Sequence, residues 1–250
     1  MEVASSRPRG LVLPTLAAVV VFAVLCALGT WQLQRMFWKE ALIAQVEAGL
    51  AADPVPAPGP SAWPALDMAA AEYQPVELHG TFDHDREIHV VYTLVKPKGP
   101  HGGIGYQIVT PFRTDEGWWV YVNRGFVPRE RRDAATRAEG QTPGEVTVVG
   151  LMRQPGYRSW FMPSDDAAAN SWFSRDPVLF AEGAGLAPET VAPYLVDARF
   201  DPDLPGGLPQ GGETIVRFSN NHLQYVVTWY GLAVALAAVY IAFVIRRRNG

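Results

Sequence analysis

LVLPTLAAVVVFAVLCALGTWQLQ, residues 11–34, runs for 24 positions without a charged side chain. A hydrocarbon core about 30 Å thick is crossed by about 20 helical residues, so this stretch is long enough to span a bilayer. Pro14 falls in its first turn, where the missing N–H costs no helical hydrogen bond. A second run, 218–245, carries no formal charge when His222 is neutral, and its core LQYVVTWYGLAVALAAVYIAFVI is again of spanning length. Both runs exceed ordinary core helices, and two spanning helices are expected. The rival for the first run is a cleaved leader, with Arg7 and Arg9 as basic flank and Ala27-Leu28-Gly29 as cleavage site. The apolar stretch is longer than the 7–15 residues of a leader, and helical spacing continues through Trp31, Leu33, Met36 and Phe37. Cys26 reads as a small apolar residue in lipid, because Leu25 is the wrong size for lipoprotein processing.

Charge sets the expected topology. Arg7 and Arg9 outweigh Glu2 in the N-terminal tail, and Arg246, Arg247 and Arg248 make the C-terminal tail basic, whereas the whole chain carries −4. Positive flanks stay in the cytoplasm. The sequence thus divides into a cytoplasmic tail (1–10), a spanning helix (11–34), an acidic outer segment (35–217), a second spanning helix (218–245) and a cytoplasmic tail (246–250). Ten residues before the first helix are too few for an Arg- and Ser-rich import sequence. A multi-pass protein of a bacterial inner membrane, its middle segment periplasmic, is the expected setting.

The middle segment is large enough for one soluble domain. The first helix extends into it, with Phe37, Leu42, Ile43 and Val46 at helical spacing, and ends at a proline-rich connector over 53–60. The period then changes to two. YQPVELHGTF (73–82), EIHVVYTLV (87–95), IGYQIVTPF (104–112), WWVYVNRGFV (118–127) and EVTVVGLM (145–152) read as strands, with a short helix over 177–182 and a further strand over 194–198. The expected fold is membrane α+β: two transmembrane helices flanking a mainly antiparallel β domain, sheet or barrel, with short helices.

Composition excludes several functions. A single cysteine rules out an intramolecular disulfide framework, CxxC zinc sites, iron–sulfur clusters and CxxCH haem attachment. The net charge of −4 gives no basic footprint for nucleic acid. No nucleophile elbow, HExxH, Walker loop or dinucleotide fingerprint occurs, and no enzymatic activity is expected. Gly102-Gly103-Ile104-Gly105 joins two strands and reads as a tight turn. Asp83, Asp85 and Glu87 read as a solvated turn. His79, His84 and His89 recur every five residues, an odd spacing that alternates faces of a strand; with His101 they form no metal signature. Asn123 and Gly125 suggest a bend at a strand end that packs Arg124 along it.

The outer ends of the two spanning runs are more informative. Trp31, Gln32, Gln34, Arg35, Trp38 and Lys39 close the first, and Asn220, Asn221, His222, Gln224, Tyr225 and Trp229 open the second. His222, Tyr225 and Trp229 share a helix face by their i, i+3, i+7 spacing. An aromatic belt with snorkelling cations explains the tryptophans, Arg35 and Lys39. Paired amides opposite a histidine fit a belt less well, since ionisable residues at membrane depth are functional candidates. A neutral imidazole can ligate haem iron, and an arginine at the same depth can pair with a propionate. On residue chemistry alone, helix packing, a belt and a porphyrin site all stay open.

These same residues carry a resemblance. Gly29-Thr30-Trp31-Gln32-Leu33-Gln34-Arg35 with Trp38-Lys39, and Asn220-Asn221-His222-Leu223-Gln224-Tyr225 continuing through Thr228-Trp229-Tyr230-Gly231-Leu232, resemble the terminal motifs of the Surfeit-locus cytochrome c oxidase assembly family, as in a bacterial member. Gly80-Thr81-Phe82, Gly105-Tyr106, Thr110-Pro111-Phe112 and Val122-Asn123-Arg124-Gly125-Phe126-Val127-Pro128 follow the family's order, with Phe126 where the family usually has tryptophan. The resemblance covers nearly the whole chain. It implies an assembly factor, not a component, of a haem–copper oxidase, acting in delivery of haem a to subunit I. It also implies His222 as candidate axial ligand of the haem iron. Arg35, Trp31, Gln34, Tyr225 and Trp229 complete the candidate site. The implied cofactor is transiently held haem a. The implied partners are oxidase subunit I, the lipid bilayer and, as a further candidate, the haem a synthase. The alternative within the family is a membrane scaffold that stabilises nascent subunit I without holding haem.

Overall fold

The structure is a computed structural model that describes residues 11–214 and 221–249. In chain order its elements are α1 (Val12–Leu50), β1 (Val55–Pro56), α2 (Met68–Ala71), β2 (Pro75–Phe82), β3 (Ile88–Leu94), β4 (Gly103–Thr114), β5 (Trp119–Pro128), β6 (Glu145–Arg153), α3 (Pro177–Ala184), β7 (Val191–Ala198) and α4 (His222–Asn249), with short 3-10 turns between them. Two compact units result: Met1–Gln45 with Arg217–Gly250, and Val46–Val216.

In the first unit, Val12–Ala41 and His222–Arg247 are long and apolar enough to cross a membrane. At 1.5 Å per residue, their 30 and 26 residues extend about 45 and 39 Å. Each exposes most of its apolar side chains and buries a narrow stripe against the other, Gly29 on α1 and Val226 and Ala233 on α4. Leu16, Val20 and Val24 on α1, and Val227, Val234 and Ile241 on α4, stay outside that stripe. Outward apolar faces of this extent mark a membrane or protein contact.

In the second unit, β2, β6, β7, β5 and β4 pair in that order, and β2 also pairs with β4, closing a five-stranded barrel. β3 lies outside on β4 and β1 outside on β2. The alternating patterns explain the two layers. Val76 and Leu78, Phe112, Val120 and Val122, Val148 and Met152, and Tyr194 and Val196 point inward from the five barrel strands and form one core. The opposite faces of β4, β5 and β7 contribute Val109, Tyr121, Val191 and Leu195, which α3 covers with Phe180 and Ala181 and the preceding loop with Trp172. β5 and β7 are thus buried on both faces, which is why they read as nearly unbroken apolar runs.

Most pairings are antiparallel, as the sequence indicates; β5–β7 and β1–β2 are parallel. α3 has the local signals of a short helix: Asp176 caps the Val178 N–H, Pro177 opens the first turn, and Gly185 closes it in the left-handed conformation. Barrel closure depends on Gly80. There β2, still paired with β6 on one edge, takes up β4 on the other, and a Cβ would stand 2.1 Å from the Arg113 carbonyl oxygen.

Candidate functional site

The candidate site lies on the helical unit, where α1 and α4 run antiparallel. Tyr240 meets Thr15, and Tyr230 meets Thr30 at 2.9 Å. Both threonines donate to a carbonyl one turn back, Leu11 O and Cys26 O. Each tyrosine hydroxyl is therefore the donor across the helix pair. Gly29 lets the Tyr230 ring lie on α1: a Cβ there would be 3.0 Å from two ring carbons. Close approach at a small residue is how helices pack in lipid.

His222 is the first residue of α4, and its Nδ1 lies 2.7 Å from Gln32 Oε1. The amide oxygen is an acceptor only, so the ring proton sits on Nδ1 and the lone pair of the neutral imidazole is on Nε2. Fixing the tautomer through the other ring nitrogen is the usual way a protein prepares a histidine as a metal ligand. Two turns further along α4, the Trp229 indole N–H is buried. An indole N–H withdrawn from water normally finds a partner, and this one meets none among the described residues.

The structure separates the remaining candidates. His222 and Trp229 are half-buried, whereas Trp31, Gln34, Arg35 and Tyr225 are exposed. The Arg35 guanidinium stacks on Trp38, 4.8 Å from its ring centroid. No hydrogen bond or ion pair joins Arg35 to His222 among the described residues. Trp31, Arg35 and Trp38 instead form an outward stripe at i, i+4, i+7 spacing. Asn220 lies outside the described residues. The partner that the sequence did not single out is Gln32. It was visible in the Gln-x-Gln-Arg string, but only the α1 rotation shows which of the two glutamines faces α4.

A second polar cluster forms inside the β unit. Glu87 is buried, not a member of a solvated turn: it accepts from Arg137 Nη2, from His89 Nε2 at 2.7 Å and from Gln141 Nε2 at 3.3 Å. The turn leaves Asp85 exposed and Asp83 half-buried beside Arg86, whereas Glu87 begins the approach to β3 and Arg137 is buried with it. Burial alone would raise the Glu87 pKa; hydrogen bonds from His89 and Arg137, with their charges, bring it down to about 2. Arg132 Nε donates to His89 Nδ1 at 3.1 Å.

Arg124 does not lie at a strand end. The β4–β5 register shifts between Ile108, opposite Gly125, and Val109, opposite Asn123, so Arg124 is the extra residue of a β-bulge. Its guanidinium stacks on Phe82 at 4.8 Å and donates to Gly140 O, Gln141 Oε1 and His84 Nδ1. Burial lowers its pKa to about 10, so it stays charged at neutral pH. It also lines a cleft of about 530 Å³ with Phe82, Val146, Val148, Arg199 and Phe200. Among the described residues no group of three or more His, Cys, Asp or Glu could hold a metal ion.

A closed β-barrel that stands in the chain between two helices of membrane-spanning length defines the class by architecture: a β domain with a candidate membrane helix at each end. The SURF1 family model matches residues 19–234. The chain is 39% identical over 234 residues to Surfeit locus protein 1 of Homo sapiens, covering 89% of this chain and 75% of that one. It is 35% identical to Surfeit locus protein 1 of Takifugu rubripes, covering 92% and 96% of the two chains. The SURF1-like protein of Monosiga brevicollis is 36% identical over 253 residues, covering 99% and 92%. The chain belongs to the SURF1 family.

Proposed function

We propose that the protein is a membrane-embedded assembly factor for a haem–copper cytochrome c oxidase that holds haem a on its way to subunit I. Family membership supports the oxidase-assembly part. The observation that carries the haem part is the His222–Gln32 hydrogen bond, which puts the proton on Nδ1 and the ligand lone pair on Nε2.

In this reading both apolar helices span a bacterial inner membrane, both termini are cytoplasmic and the β unit is periplasmic. The outward apolar faces of α1 and α4 and the basic tails support this arrangement. Haem a brings an iron that accepts an axial nitrogen, an apolar body and oxygen acceptors at its rim. The residues present suit those features: His222 Nε2 would hold the iron, and the Trp229 N–H would donate to an oxygen of the ligand. Arg35 enters as a cation on the adjoining stripe, available to a propionate, and Trp31, Gln34 and Tyr225 as the interfacial rim beside it. A single imidazole ligand suits a carrier that must release its cargo. The protein's role is binding and orientation, without bond-breaking chemistry of its own.

The test is the visible spectrum of the detergent-purified protein, co-expressed with haem a synthesis. Wild type is expected to show the red-shifted reduced α-band of haem a, and His222→Ala to lose it. A colourless wild type that still co-purifies with subunit I would replace this reading with the scaffold one, in which His222 is a protein contact.

A further inference from the structure

We propose that the β unit has its own lipid-contacting surface, built from the 154–175 loop and the β3–β4 turn around the point where the chain departs for α4. The inference rests on the reading of α1 and α4 as spanning helices.

The five most exposed large apolar side chains among the described residues of this unit fall in two segments, ahead of Phe200 at 64%, which lies against Gly212 on the departing chain. Tyr157 and Trp160 are 79% and 91% exposed, and Phe161 beside them packs edge-on to Trp160, with ring centroids 5.8 Å apart. Val95 and Ile104, flanking the β3–β4 turn, are 76% and 66% exposed. Scattered exposed apolar residues are ordinary, but a contiguous group marks an interaction site. The loop tip is a built turn: Met162 N bonds Ser159 O at 3.0 Å, and Arg158 Nη1 donates to Met162 O at 2.7 Å. The aromatic side chains thus stand exposed on a hydrogen-bonded turn.

The β3–β4 turn is bonded to the departing chain directly, and the loop shares the Asp197 carboxylate of β7 with it. Thr214 donates to Asp197 Oδ2 at 2.9 Å. The same carboxylate binds Arg153 at 2.8 Å and Arg175, the two ends of the loop, and Arg175 exchanges backbone bonds with Gly156, next to Tyr157. Glu213 accepts from the backbone N–H groups of Lys98 and Gly99 in the β3–β4 turn, at 3.0 and 2.9 Å. The chain also enters at this level. Val55 pairs with Val76, Val76 with Gly150 and Gly150 with Ala198, and Gly212 N bonds Ala198 O. Entry and departure thus share one row of the sheet.

Composition selects lipid as the occupant. Trp, Tyr and Phe with Arg158 at the tip, and Val95 and Ile104 around Lys96 and Lys98, are the mixture of amphipathic aromatics and long cations that partitions to the headgroup–acyl boundary. A protein partner covering the same patch, or a second copy of this chain, is the competing outcome.

The experiment uses the full chain with Cys26→Ala, in nanodiscs of phosphatidylcholine and phosphatidylglycerol. Single cysteines at Ser159→Cys, Ile104→Cys, Glu189→Cys and Val234→Cys carry an environment-sensitive NBD label. Glu189 is exposed just ahead of the far end of β7, and Val234 is on the outward face of α4. The labels at 159 and 104 are expected to emit to the blue of the 189 label. They should lose most of their emission to doxyl-labelled lipid, and the 189 label only to aqueous iodide. Adding Trp160→Glu and Phe161→Glu should return the 159 label to iodide without altering the 234 label. Iodide quenching at 159 and 104 equal to that at 189 would overturn the proposal, as would shielding from both quenchers, which would identify a protein cover. A 234 label that escapes the lipid quencher would remove the spanning reading, and the proposal with it.

Discussion

A single acceptor determines what His222 offers. With the Gln32 oxygen at 2.7 Å from Nδ1, the imidazole presents its other nitrogen as the donor atom. Under the proposed function Gln32 is a positioning residue. Second-shell partners of this kind are worth about 10–100-fold in ligand affinity, and Gln32→Leu should weaken haem a retention by that order, read by spectral titration. Gln32→Glu should retain haem and lower its reduction potential, because a carboxylate makes the imidazole a stronger donor. An unchanged potential would mean that Gln32 only packs. In the β unit the sensitive residue is Glu87. Its carboxyl is held near 2 against an ordinary 4.5. A depressed folded-state pKa stabilises above the unfolded value and is lost as pH falls through the folded one. Denaturant unfolding of the full chain should therefore show stability falling from about pH 4.5 towards pH 2. Glu87→Gln should flatten that slope and cost about 3–5 kcal/mol at neutral pH, since it leaves Arg137 buried without its anion.

At the scale of elements, the helix pair is held by contacts that a bulky residue would break. Gly29→Leu should push the Tyr230 ring off α1, break its bond to Thr30 and lower the α-band per protein, whereas Gly29→Ala needs only a small shift of the ring. The strands of the barrel were legible because each alternates or ends on turn residues. The short helix was legible because Asp176, Pro177 and Gly185 mark its ends. The parallel β5–β7 pairing was not, because strand partners are fixed by long-range packing that leaves no local period. Closure through Gly80 escaped notice for the same reason. The bulge at Arg124 looked like a turn because Asn and Gly serve both. Glu87 looked solvated because its charge partner, Arg137, is fifty residues away in sequence. The candidate site was half legible. His222 and Trp229 stood out by type and spacing, but the choice of Gln32 over Gln34 depends on a rotation of α1 that a nearly uniform apolar helix does not encode.

At the scale of the whole molecule, the chain invests its charge and β structure in one closed barrel and its apolar length in two helices, and the polar exceptions on those helices carry the function we assign. The account stands on His222 as an axial ligand of haem a. The measurement that tests this most directly is imidazole rescue of His222→Gly in the detergent-solubilised full chain supplied with haem a, followed at the reduced α-band. The expected result is loss of the band in the variant and its return when imidazole is added, with the far-ultraviolet circular dichroism unchanged throughout. Retention of the wild-type spectrum by His222→Gly, or loss that imidazole does not restore in a folded protein, would contradict it.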